Sequence, residues 1–254
     1  MRVLGLVLTW VCALFLAGCG SSQDDKDFYV RVTVEATYDG KPVSGSAVIM
    51  QPLILLPPEG NTVGEAISID LGGGKNVYLP LGEREKLTRI FYPAINESFQ
   101  PIINPQKQAM KSDKKKAALL KLPFGTKAQW QYKRNRPSSL GKYAFYPLIV
   151  GFKDKSIPSS AFMVDTEGAS RLFGKTFKFK GLYLERVSPD TPLTKTLHTQ
   201  LPWVDPAHKY WSSRRQDGIY NDSIEHFPKG LQYKKASLKQ KLRRSHFSTE
   251  GFRK

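Results

Sequence analysis

Hydrophobic and polar residues alternate with a period of two from Phe28 to Thr37. Phe28, Val30, Val32, Val34 and Ala36 fall on one side, and Tyr29, Arg31, Thr33, Glu35 and Thr37 on the other. Side chains of a strand point to opposite faces in turn, so this run predicts an antiparallel strand with one face buried. Asp39-Gly40 follows, a dipeptide that accepts positive φ and closes hairpins. A second strand is expected over Ser46 to Gln51, and Pro52, Pro57, Pro58 and Gly60 then break the chain. Ile67, Ile69 and Leu71 alternate again. The triplet Gly72-Gly73-Gly74 separates them from Val77, Leu79 and Leu81, which predicts a further hairpin.

The alternation fades between Gly82 and Pro147. In its middle, Asn104 is placed to cap a helix with Pro105 at the first helical position, predicting a short basic helix within Asn104 to Leu122. The core pattern returns at Leu148-Ile149-Val150, a continuous apolar run expected of a buried strand, and Ala161 to Val164 reads as another. Asp165 or Thr166 is expected to cap a one- to two-turn helix bearing Ala169, Leu172 and Phe173 and ended by Gly174. In the next strand Phe177 and Phe179 are odd while Leu182 and Leu184 are even, with Gly181 between them. A glycine at a change of parity predicts a β-bulge that keeps all four on one face. Asp190 or Thr191, then Pro192, then Leu193, Leu197 and Leu201 at intervals of four predict a helix stopped by Pro202, after which Trp203 and Val204 close the core. The expected fold class is mainly β (α+β), an antiparallel sandwich or meander with a few short helices.

The N-terminus has a different character. Met1-Arg2 precedes an uncharged apolar run, Val3 to Ala17, too short for the roughly 20 residues of a membrane-spanning helix and suited to the apolar region of a signal peptide. It ends in Leu16-Ala17-Gly18-Cys19, followed by the polar Gly20-Ser21-Ser22-Gln23. This string resembles the lipobox of bacterial lipoproteins. The resemblance implies a diacylglyceryl thioether on Cys19, cleavage just before it, and loss of Cys12 with the leader. The one remaining thiol is then blocked, which excludes disulfides, catalytic thiolates and cysteine-ligated metals. Gly20 after the cysteine is similar to the outer-membrane sorting class where a cell has two membranes. The expected organisation is a leader over 1–18, a tether over 19–27, a β-rich domain over 28–204 with a basic insertion at about 83–146, and a basic extension over 205–254.

A second resemblance rests on Val32 to Met50, Gly64 to Leu81, Leu148 to Val164 and Phe173 to Val204, with the strings Gly64-Glu65-Ala66 and Leu201-Pro202-Trp203. These look like segments of a set of small proteobacterial proteins of uncharacterised function. The likeness implies a shared β-rich fold and no reaction.

Charge sharpens this picture. The 254 residues hold 39 Lys and Arg against 22 Asp and Glu, a formal +17. Residues 107–121 contain six lysines and Asp113, and residues 127–142 contain five basic groups and no acid. Such runs are read either as the solvated face of an insertion or as a binding surface. Lys229 to Lys254 holds nine basic residues and Glu250, with Leu231, Leu238 and Leu242 spaced for a weakly amphipathic helix. In an envelope compartment the matching polyanion is anionic lipid, lipopolysaccharide or a wall polymer, and not nucleic acid. A solubilising tail is the alternative.

No catalytic constellation is legible. His198, His208, His226 and His246 match no metal-ligand spacing, and Asp205 with His208 lacks a third ligand. Gly72-Gly73-Gly74-Lys75 lacks the ending of a phosphate loop and precedes a strand. Ser138, Ser139, Ser159 and Ser160 lack a nucleophile elbow. The sequence therefore assigns no catalytic, cofactor-binding or metal-ligating residue, and one modified residue, Cys19. It points to an envelope lipoprotein, held to the outer membrane and facing the periplasm, that acts in binding or assembly. An envelope hydrolase and a phage- or conjugation-related surface lipoprotein are the alternatives.

Overall fold

The computed structural model describes residues 27–53, 62–81, 91–106, 108–130, 137–138, 141–142, 147, 149–166 and 168–204. The fold is mainly antiparallel β, with few short helices. The first strand, β1 (Asp27–Tyr38), buries Phe28, Val30, Val32, Val34, Ala36 and Tyr38 in strict alternation. Asp39 and Gly40 take φ of 54° and 75°, and β1 turns there into β2 (Lys41–Pro52). The two strands pair along their whole lengths, from Asp27 opposite Pro52 to Tyr38 opposite Lys41. Strand β2 thus begins five residues before the expected Ser46. Its first half is polar and exposed, so no alternation of hydrophobicity marks it.

Two further hairpin strands, β3 (Ile67–Gly72) and β4 (Lys75–Leu79), flank the glycine triplet, whose three residues all have positive φ. Two helices follow, α1 (Phe91–Ile103) and α2 (Ser112–Leu120), and then the short strand β5 (Lys127–Gln129). The small strands β6 (Pro137–Ser138) and β7 (Gly141–Lys142) pair with each other. The remaining strands are β8 (Ile149–Phe152), β9 (Ala161–Val164), β10 (Ala169–Leu172) and β11 (Lys175–Arg186), followed by a single helical turn, α3 (Leu197–Gln200). One sheet has the order β10-β11-β1-β2, with β5 also paired to β11. The other has the order β3-β4-β8-β9.

Side chains of both sheets meet in one hydrophobic cluster, from Val30, Val32 and Phe177 in the first to Ile69, Val77 and Ile149 in the second. Residues between the two halves of the second sheet contribute to it as well, through Ala94, Ile95 and Phe99 of α1, Leu119 of α2, and Leu122 and Trp130. The sheets come closest where β2 passes β3. A Cβ on Gly45 would fall on the Ser68 carbonyl oxygen and lie 2.7 Å from the Ser68 carbonyl carbon.

The bulge foreseen in β11 is present. Glu35 faces Gly181 while Ala36 faces Phe179, so Lys180 is the extra residue. Phe177, Phe179, Leu182 and Leu184 all stay buried on one side. Trp203 and Val204 are buried as expected, but outside the cluster that the two sheets share.

Two expected helices are corrected, and the basic helix is present but starts later than expected. Asn104 does not open a helix but ends one. Its amide donates to the Gln100 carbonyl at 3.0 Å and its side-chain amide donates to the Gln108 carbonyl at 2.6 Å. The basic helix starts only at Ser112, with Lys111 at the cap position and no side-chain cap. Helix α1 lay unread because Pro101 and scattered polar residues mask its face, although Ala94, Ile95, Ser98 and Phe99 have helical spacing and are buried.

Residues 169–172 form strand β10 in place of the short helix. They pair with Lys175–Lys178 of β11 across a tight turn with φ of 49° at Phe173 and 83° at Gly174. A bulky residue at positive φ is rare. Phe173 is held there by an edge-to-face contact with Phe162 at 5.8 Å and by the Lys75 ammonium 5.4 Å from its ring centre.

The leucine helix from Thr191 is reduced to Leu197–Gln200. Thr194 instead meets β2. Its amide donates to the Val48 carbonyl at 3.2 Å and its hydroxyl accepts from the Val48 amide at 2.9 Å. Leu197 and Leu201 are still buried one turn apart, but Leu193 is only half-buried.

Candidate functional site

The residues around the start of β1, from Asp27, form a distinctive surface among those described. Phe28 turns its ring inward, edge-on to Phe99 of α1 at 5.6 Å. The Arg186 guanidinium, at the end of β11, lies 5.7 Å from the centre of the Phe28 ring and 4.8 Å from that of Phe124. A cation over an aromatic face is attracted by the ring quadrupole, and more strongly where water is excluded. Arg186 also donates through Nη2 to the Leu120 carbonyl at 2.6 Å, at the C-terminal turn of α2, where the helix dipole favours positive charge. Partial burial pushes the Arg186 guanidinium down from its usual value, yet an arginine starts so high that it stays charged at any physiological pH.

Phe124 is presented by the turn Pro123-Phe124-Gly125-Thr126. The Thr126 amide donates to the Pro123 carbonyl at 3.2 Å, and Gly125 has a φ of 83°. The turn is tied to β11 in both directions. The Gly125 amide donates to the Arg186 carbonyl at 2.8 Å and the Arg186 amide to the Thr126 carbonyl at 2.9 Å. A large apolar ring is thus fixed on an ordered turn, 58% exposed. Lys121 and Lys127 flank it, both exposed, and no acidic residue occurs between Asp113 and Trp130. Across the sheet Glu185 stands opposite Lys127 and forms an ion pair with Arg31 at 2.9 Å. Behind this surface the Trp130 indole donates to Glu97 of α1 at 3.3 Å. Lys115 is half-buried, its ammonium pushed down by burial while the charge of Glu97 opposes that shift.

The second built feature covers the far face of the β3-β4-β8-β9 sheet. Tyr78 and Phe152 meet edge to face at 5.8 Å, and Phe152 meets Trp203 at 5.7 Å. Glu65, buried, accepts the backbone amides of Thr196 at 2.7 Å and Leu197 at 2.9 Å. The strings Gly64-Glu65-Ala66 and Leu201-Pro202-Trp203, distant in sequence, therefore belong to one structural feature: the first holds the turn that delivers the second. Their shared task is to seat the segment after β11 on the sheet. Glu65 was legible only as part of a string, because its bonding partners lie more than 130 residues away.

The Tyr78 hydroxyl is buried and has no hydrogen-bond partner among the described residues. Burial, and secondarily the charge of Asp70, push its phenol far above the usual value near 10. The folded state therefore holds this proton more tightly than the unfolded chain. The stability that difference provides is complete below about pH 10 and is lost as pH rises beyond it. Tyr78→Phe is expected to melt no lower than the parent, since it removes a buried unpaired hydroxyl, and to lose less stability above pH 10. Denaturant melts at pH 8 and pH 10.5 check both. A loss above about 1 kcal/mol at pH 8 would show that the hydroxyl is satisfied.

The other sequence candidates resolve into structural roles or fall outside the described residues. The Gly72 amide donates to Asp70 Oδ1 at 2.8 Å, and Lys75 reaches over Phe173, so Gly72-Gly73-Gly74-Lys75 is a hairpin turn. The Ser160 hydroxyl donates to the Asp154 carbonyl at 2.7 Å and accepts from the Asp154 amide at 3.0 Å. Asp154 itself is held below its usual value by hydrogen bonds from Ser156. Ser138 lies in β6, and Ser159 lies in a turn of 3-10 helix. His198 is exposed on α3. Cys19, Ser139, Asp205, His208, His226, His246 and the basic stretch 229–254 lie outside the described residues. Among the described residues no group of three or more His, Cys, Asp or Glu is placed to hold a metal ion, and no helix is long and apolar enough to cross a membrane. Compared with models of protein families, with curated proteins and with solved structures, the chain matches none.

Proposed function

We propose that the protein is a cell-envelope lipoprotein, anchored by a diacylglyceryl group on Cys19, whose β-rich body serves as a non-enzymatic binding or assembly component. The observation that carries this reading is the string Leu16-Ala17-Gly18-Cys19 at the end of an uncharged apolar run, with a polar tether directly after it. Small residues before the cut fit a narrow protease cleft, and a thiol is the nucleophile that lipid transfer needs. Strand β1 (Asp27–Tyr38) lies within eight residues of the cysteine, which suits a domain carried close to the bilayer. With Gly20 after the cysteine, the proposed location in a cell with two membranes is the outer membrane, facing the periplasm. The basic stretch 229–254 is proposed to lie on anionic lipid, lipopolysaccharide or wall polymer. A polybasic segment adds roughly 1 kcal/mol per charge near such a surface and orients a protein that the lipid already holds.

The expected mass of the purified protein is that of the chain from Cys19 with at least a diacylglyceryl group. Cys19→Ala is expected to move the protein from the membrane fraction to the soluble fraction, or to leave the leader uncleaved. An unmodified Cys19 in a soluble product would overturn the reading.

A further inference from the structure

A lipid on Cys19 decides which part of the body faces the bilayer. From Cys19 to Asp27 there are eight residues, which span at most about 28 Å when fully extended. The entry point of β1 therefore stays within that distance of the lipid. The structure places a specific surface at this point. Phe28, one residue inside the fold, stacks on Arg186, and Arg186 stacks on Phe124.

We propose that the Pro123-Phe124-Gly125-Thr126 turn is a membrane-contacting finger. Phe124 enters the headgroup boundary of the bilayer that holds the Cys19 lipid, while Lys121 and Lys127 lie on the phosphates of anionic lipids. Three observations favour a bilayer as the occupant. The ring is largely exposed although it sits on a well-hydrogen-bonded turn, so it is presented and not merely left over. Its flanks are cationic, and Glu185, which faces Lys127 across the sheet, is engaged by Arg31. The finger also lies beside the end of the chain that leads to the lipid, so the membrane is the surface it meets first. An apolar tip with basic flanks is the pattern of an interfacial anchor: the ring gains from leaving water and the ammonium groups gain from the phosphates.

The proposal rests on the anchor reading, and the test separates the two. The full chain, with p-benzoylphenylalanine in place of Phe124, is produced in its native envelope. It is then reconstituted in vesicles of phosphatidylethanolamine and phosphatidylglycerol and irradiated. This photoreactive residue keeps an aromatic ring at the tip. The same residue in place of Ile157, which is 47% exposed on a different loop, serves as the control. The expected product is a phospholipid adduct at position 124 and none at 157. Lys121→Glu and Lys127→Glu are expected each to lower its yield about fivefold or more, and 0.5 M salt to lower it likewise, since exposed charges are screened within a few ångströms there.

A body that carries the Cys19 lipid but gives no adduct at 124, or equal adducts at both positions, overturns the finger and leaves the anchor standing. A protein crosslinked at 124 to a second copy overturns it in the same way. If intact mass shows Cys19 unmodified, the protein is added to vesicles from solution. An adduct at 124 then upholds the finger without the anchor, and its absence ends both.

Discussion

Gly45→Ala is expected to unfold the protein or to cost on the order of 3 kcal/mol or more, beyond the usual range for an overpacked site. Gly45 pairs with Val34 in the β1-β2 ladder and at the same point touches the neighbouring sheet. A methyl group there would fall on the Ser68 carbonyl oxygen and lie 2.7 Å from its carbon and 3.1 Å from the Ile69 Cα. All three are backbone atoms of β3, so no rotamer change relieves the overlap. The sheets would have to separate, and Ile69, fully buried at this crossing, would lose its close fit. Gly168→Ala is the control, because a Cβ at Gly168 meets nothing within 4 Å. Urea melts followed by circular dichroism read both. A Gly45→Ala protein as stable as the parent would mean that β2 and β3 do not approach as described.

Trp203→Ala is expected to cost about 3 to 5 kcal/mol, as for other buried tryptophans. This is a large share of the 5 to 15 kcal/mol that typically holds a domain together. The indole is 4% exposed and packs on Phe152, which in turn meets Tyr78. Its removal leaves a cavity against Phe152. The segment from Thr194 onward would then keep the Val48-Thr194 hydrogen bonds, the Glu65 carboxylate and the buried Leu197 and Leu201. Limited proteolysis is expected to cut within residues 188–204 of the variant at a protease level that spares the parent. A loss below about 1 kcal/mol would show that this segment does not cover the sheet.

The agreement between pattern and structure follows a physical division. Strand β1 was legible residue by residue because one of its faces is buried and the other meets water, so burial and sequence share a period of two. The bulge at Gly181 was legible for the same reason, since a change of parity has few other solutions when four large side chains must reach one core. Strand β8 was legible as a continuous apolar run because both of its faces are covered, Ile149 by the common cluster and Phe152 by Trp203. The misread elements are those in which local preference and tertiary contact disagree. Pro192 and the leucines at intervals of four favour a helix, but Thr194 bonds to Val48 of β2, and the helix survives as one turn. Ala169 to Phe173 likewise favours a helix until β11 supplies a pairing partner.

Of the candidate site, composition announced the basic character of residues 107–142, while the finger at Phe124 depended on where Arg186 and Phe28 come to lie. Neither Phe124 nor Arg186 stands out in its own neighbourhood, because their meaning is a stack of residues 28, 124 and 186. Sequence alone determined the mainly β class, the two hairpins at Asp39-Gly40 and Gly72-Gly73-Gly74, the bulge in β11, and the expectation of a lipid on Cys19. Each of these rests on neighbours within a few residues: an alternation, a turn dipeptide, a parity change, a short string. Tertiary structure alone decided that β2 crosses β3 at a glycine, that Glu65 secures the turn before Trp203, and that an exposed phenylalanine stands beside the entry of β1. These depend on contacts between residues far apart in the chain, which leave no periodic mark in the sequence on either side.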